Sequence, residues 1–155
     1  MPTLPELWEI CALLVAVQTA SFAWRLAEES RVSRKGDITW VPVADALNLV
    51  AIAVLAFGVF VLPVAGLLPL RESRIAVALS ILLFVGHLVS VAAHYELFNP
   101  RTARSMKYFP RQERVAVTIV CAVVVIFLIA VAMTRQEEEN YDAKHQGSTA
   151  GLSRR

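Results

Sequence analysis

The chain has 155 residues, 57% of them hydrophobic, and a formal net charge of +2. Its mean hydropathy is +0.57. Soluble domains hold about 45–50% apolar residues with glycine included, so the excess excludes an ordinary water-soluble domain, and so small a net charge gives no bulk electrostatic case for nucleic acid as a partner.

Four long apolar stretches, at 7–26, 41–68, 75–97 and 115–133, are separated by short charged segments. Each is near or above the ~17–25 residues that cross a hydrocarbon core as a helix. The expected fold is all-α: an integral membrane protein with four transmembrane helices in an up-down bundle at 1–134, then a polar C-terminal tail at 135–155.

The first stretch opens with Thr3 and Glu6 at capping-box spacing and with Pro5 in the first turn, where a missing N–H costs little. No Lys or Arg precedes it, and Trp24-Arg25 rather than small residues follow it, so a retained helix is expected and not a cleaved signal. Along it Cys11, Gln18 and Arg25 recur every seven residues, with Ser21 beside them. The loop at 28–39 mixes charges and turns at Gly36-Asp37.

In the second stretch Asp45 and Asn48 are three apart and share a helix face. Pro63, Gly66 and Pro69 are expected to kink or end that helix. The short turn that follows, read at 69–74, makes the second and third helices antiparallel neighbours. In the third stretch Ser80, His87 and His94 recur every seven residues, nearly two turns, with Ser90 between the histidines. Asn99-Pro100 should stop it.

The loop after it interleaves bases and an aromatic ring: Arg101, Arg104, Lys107, Tyr108 and Arg111. That composition suits a surface of anionic lipid headgroups, with nucleic acid or an acidic partner as the alternatives. The fourth stretch, with Pro110 at its start, is almost wholly Val, Ile, Ala and Leu apart from Thr118 and Cys121. It is expected to run a few turns past Thr134, with the Gly-Ser-Thr-Ala-Gly run at 147–151 disordered.

Charge sets the expected orientation. Nine basic residues lie near helix ends on one side: Arg25, Arg31, Arg34, Lys35, Arg101, Arg104, Lys107, Arg111 and Arg114. The other side has Arg71, Arg74 and Arg135 nearby. The positive-inside rule puts both long loops in the cytoplasm and both termini outside. Trp8 and Trp24, about 24 Å apart on a helix, suit the two interfaces, and Trp40 and Tyr95 the inner one. The abundance of Ala, Val and Arg is compatible with a GC-rich bacterial source, hence with a cytoplasmic (inner) membrane.

Polar residues inside a membrane are costly and need a partner or a purpose. The candidate cluster is Gln18, Asp45, Asn48, His87, Ser90 and His94, a wedge from the cytoplasmic surface to mid-membrane with Arg25 and Glu96 at its mouth. Matched depth predicts that Asp45 and His94 meet. Interhelical hydrogen-bond glue, a proton, ion or ligand path, and a partner-subunit interface are all open readings.

No cofactor or metal is expected. His87 and His94 stand about 10 Å apart along the helix, too far to ligate one ion. Cys11 and Cys121 differ by about 10 Å in depth, beyond the reach of a disulfide. No phosphate loop, H-E-x-x-H or nucleophile elbow is present. The expected function is thus non-catalytic: an accessory subunit or self-assembling membrane module, bound to the bilayer and to a second copy or a partner subunit. An oligomeric channel, pore or transporter with a path at Asp45, His94 and His87 is the alternative, followed by a proton- or electron-transfer subunit.

Overall fold

The computed structural model describes residues 3–33, 41–98 and 109–152. These form α1 (Leu4–Ser33), α2 (Val43–Leu55), a π-helical turn (Ala56–Val61), α3 (Leu62–Val64), α4 (Leu70–His94) and α5 (Arg111–Leu152). Among the described residues there is no strand. Four helical segments are long and apolar enough to cross a membrane: Leu4–Arg31, Val43–Val64, Leu70–His94 and Arg111–Glu138. The chain divides into two compact units, Met1–Val120 and Cys121–Arg155.

Helix ends follow local chemistry. The Glu6 carboxylate accepts from the Thr3 backbone N–H at 2.6 Å and from its hydroxyl at 3.0 Å, which closes the start of α1. The helix outruns the expected end at 26 and reaches Ser33, and on its exposed face Arg31 pairs with Glu28 at 2.6 Å.

The second span ends at Val64 rather than at 68. Gly66, at φ 71, turns the chain in a left-handed conformation that suits glycine. Leu67 N–H donates to Leu62 O at 2.9 Å and Gly66 N–H to Pro63 O at 3.0 Å, the paired bonds of a Schellman motif. The same pair closes α4, from Leu97 N–H to Ala92 O and Glu96 N–H to Ala93 O. There the left-handed position is Glu96, at φ 55.

Pro69 caps α4, so Arg71, Glu72, Ser73 and Arg74 fill its first turns and are not a loop. The connection was misplaced from sequence because a cluster of charges looks like a turn, whereas Pro69 fits the position just before a helix. At the other end α4 stops at His94, and the expected stop at Asn99-Pro100 lies outside the described residues.

Pro63 explains the π turn. In a regular helix the Val59 carbonyl accepts from residue 63, which here has no N–H. The helix widens instead, with Leu62 N–H donating to Phe57 O. The indole N–H of Trp8 supplies the missing donor to Val59 O at 3.0 Å.

Within Met1–Val120 the interior changes character along its length. One end is apolar: Cys11, Leu55 and Val59 are fully buried against Leu14, Val15, Phe60, Ala76 and Val77. Beyond it the interior is polar. The contacts of α1 run in reverse order along the second span, Trp8 to Val59 of the π turn and Arg25 to Asp45 of α2. Against α4 they run in the same order, Gln18 to Ser80 and Ser21 to His87. The first turns of α5 meet α4 closely: a Cβ on Gly86 would lie 2.5 Å from a Val120 methyl.

In the second unit α5 continues from Cys121 to Leu152, with Val123, Val125, Ile126, Leu128 and Ile129 exposed. The helix runs to Leu152, so the 147–151 run is helical and not disordered. Once a helix is nucleated each further residue adds a hydrogen bond, which opposes the glycine penalty of about 1 kcal/mol per residue. Cys11 and Cys121 are both free thiols.

Candidate functional site

The polar end of the interior is built in three layers. In the first, next to the apolar cluster, Gln18 Nε2–H donates to Ser80 Oγ at 3.0 Å, and Ser80 donates on to Ala51 O at 2.9 Å. Asn48 Nδ2–H donates to the Gln18 carbonyl at 2.9 Å. These bonds fix the orientation of both amides, because each nitrogen faces a group that must accept.

In the second layer His87 Nδ1 lies 3.0 Å from Ala44 O, so this nitrogen carries the proton. In the neutral ring Nε2 then accepts from the Ser21 hydroxyl, 3.4 Å away. Asp45 Oδ1 stands 3.6 Å from His87 Nδ1. Ser21, His87 and Asp45 therefore follow the order of nucleophile, base and carboxylate. The imidazole N–H is nevertheless given to a backbone carbonyl, and Asp45 is shared with an arginine.

That arginine is Arg25, whose Nε–H donates to Asp45 Oδ2 at 3.3 Å. Its Nη1–H donates to the Tyr95 hydroxyl, and its guanidinium lies over the Tyr95 ring, 5.2 Å from the centroid. Glu29, one turn on, is 3.5 Å from Nη2. Arg25 is thus not at the mouth of a wedge: it is 1% exposed, held by Glu29 of α1, Asp45 of α2 and Tyr95 in the turn after α4. Glu96, the other residue expected there, is partly buried and holds the turn after α4.

The third layer corrects the expected Asp45–His94 contact. His94 Nδ1 pairs with Glu113 Oε2 at 2.7 Å, while Asp45 pairs with Arg25 and His87. His87 and His94 are seven residues apart on one face, so periodicity cannot choose between them; only the offset between α2 and α4 does. The second oxygen of Glu113 accepts the Ala44 N–H at 2.8 Å, a donor in the first turn of α2 that has no partner within its own helix. Glu113 is fully buried and joins the start of α2 to the end of α4.

Of the six residues expected to cluster, all are buried. Gln18 and Asn48 share the first layer, Asp45 and His87 the second, and His94 the third. Ser90 Oγ is buried with no hydrogen-bond partner, as are Gln18 Oε1 and Asn48 Oδ1. Glu113 was missed. The available signal was its being the sole carboxylate in the basic stretch 101–114. Of the lipid-facing set, Arg101, Arg104, Lys107 and Tyr108 lie outside the described residues, as does Trp40. Arg111 is described and exposed. Among the described residues no group of three or more His, Cys, Asp or Glu side chains is placed to hold a metal ion.

No protein-family model matches this sequence, and neither a curated protein nor a solved structure matches it.

Proposed function

We propose that the chain is a multi-pass protein of a bacterial cytoplasmic membrane, arranged as an up-down bundle with both termini outside. It acts as a non-catalytic accessory subunit or self-assembling module. The observation that carries this reading is the division of the interior. Its ionisable groups meet in pairs, Arg25 with Asp45 and His94 with Glu113, and the apolar cluster at Cys11, Leu55 and Val59 closes the other end. Among the described residues this arrangement speaks against a polar route from face to face within one chain. Its polar half fixes helix register, while its outward Val, Leu and Ile surface meets lipid, a second copy or a partner subunit.

A second reading is favoured by the file Ser21–His87–Asp45–Arg25–Tyr95, which leads from mid-bundle to the charged end. In an oligomeric channel or a proton-transfer subunit this file would be half of a path.

Reconstitution separates the two. The purified protein in liposomes should pass neither protons nor potassium above the empty-vesicle rate, and should appear in nanodiscs as a defined oligomer or bind a partner subunit. Proton flux that His87→Asn abolishes, with insertion and assembly intact, would replace the first reading with the second. Reporter fusions check orientation: one after Arg155 should score outside and one within residues 101–108 inside.

A further inference from the structure

The start of α5 carries a second feature that the polar interior does not use. A groove of about 340 Å³ lies between the end of α4 and the first turns of α5, walled by Val89, Phe98, Val115 and Ile119. Arg111 and Gln112 stand on its lining. Its size is at the lower end of the ~300–1,000 Å³ of small-molecule clefts. A neighbouring groove is shared by Arg111 and Arg114.

We propose that this groove binds one anionic glycerophospholipid whose headgroup carries a hydroxyl. The proposal rests on the membrane reading above and names a specific ligand for it. Three observations select this occupant. First, Arg111 and Arg114 are both exposed and three positions apart, so they share a helix face; Arg111 lines this groove, and both line the neighbouring one. Second, the carboxylate between them does not cancel their charge, because Glu113 points inward to Ala44 N–H and His94. The positive end of the α5 dipole adds to the same field. Third, Gln112 Oε1 is buried without a hydrogen-bond partner. It is an acceptor, so it calls for a donor that a phosphate ester or a choline group lacks and a glycerol headgroup has. Thr118 does not compete, since its hydroxyl is given to Arg114 O at 2.8 Å. The walls are apolar and suit an acyl chain.

The test uses the full chain in nanodiscs, with bound lipid read by native mass spectrometry. Phosphatidylglycerol, phosphatidylmethanol and phosphatidylcholine are compared. The first two carry equal charge, but only the first has the hydroxyl. The wild type should retain phosphatidylglycerol about tenfold over phosphatidylcholine, the worth of one charge-assisted bond, and several-fold over phosphatidylmethanol. Arg111→Gln with Arg114→Gln should remove the preference over phosphatidylcholine. Gln112→Leu should remove only the preference over phosphatidylmethanol. Val115→Trp, which puts a larger side chain in the groove lining, should release lipid without altering assembly. Equal retention of all three lipids by the wild type, or displacement by inorganic phosphate, would overturn the proposal. A chain that alkaline carbonate strips from membranes would instead overturn the membrane reading itself.

Discussion

Glu113 offers the most direct test of the interior. It is fully buried and bridges two elements, accepting Ala44 N–H at 2.8 Å and pairing with His94 Nδ1 at 2.7 Å. Glu113→Ala leaves both donors buried and unsatisfied. Each orphan costs about 1–3 kcal/mol, so the loss of both partners should be about 2–6 kcal/mol. Glu113→Gln keeps an acceptor for Ala44 N–H. Its amide can also donate to His94 Nδ1 once the ring changes tautomer, so its cost should be about 1–2 kcal/mol, the charge assistance alone. His94→Phe removes one orphan, so in the Glu113→Ala background it should cost less than it does alone. The assay is reversible unfolding in mixed micelles followed by fluorescence of the three tryptophans. Glu113→Ala within about 0.5 kcal/mol of wild type, the range of an ordinary surface change, would refute the bridge. So would equal losses for the alanine and glutamine variants.

Arg25→Ala should cost about 3–5 kcal/mol because it strands the Asp45 carboxylate, whereas Arg25→Met with Asp45→Leu should cost clearly less, as read by the same unfolding assay. Trp8→Phe should lose about 1 kcal/mol by orphaning Val59 O, and should become nearly neutral in a Pro63→Ala background, where residue 63 regains its own N–H; a cost unchanged by Pro63→Ala would count against the indole's role. Glu96→Gly should raise thermal stability in detergent by up to about 1 kcal/mol, since glycine carries no penalty at φ 55, and a destabilised variant would show that the Glu96 side chain has a partner.

What was legible in the sequence was what depends on runs and on short spacing. The apolar stretches locate the spans because length alone decides whether a helix can cross lipid. Thr3 and Glu6 locate the start of α1 because the cap is made within one turn. The heptad spacing of Ser80, His87 and His94 puts them on one face, and that face is the buried one. Partner identity was not legible, because it depends on how far one helix slides along another. A slide of seven residues exchanges His94 for His87 without changing the face. The reach of Glu113 across to α2 also escaped, since 69 residues separate it from Ala44. Pro63 announced a break in the helix, but nothing local indicated that Trp8, on another helix, would repair it.

The pairing of Arg25 with Asp45 has a consequence for biogenesis. On the membrane reading, a ribosome delivers the arginine 20 residues before the Asp45 carboxylate, so α1 meets the translocon with only Glu29 of its own helix to offset that charge. A central arginine costs an isolated segment about 2.5–3.5 kcal/mol on insertion, less near an end. The first segment should therefore linger at the translocon exit, and partition fully into lipid only when α2 arrives with Asp45 in its first turn. His87 comes later still and joins two segments already committed. The buried charges would thus impose an order of assembly on the nascent chain, and a ribosome stalled between the first two spans should leave α1 cross-linkable to the translocon rather than to lipid.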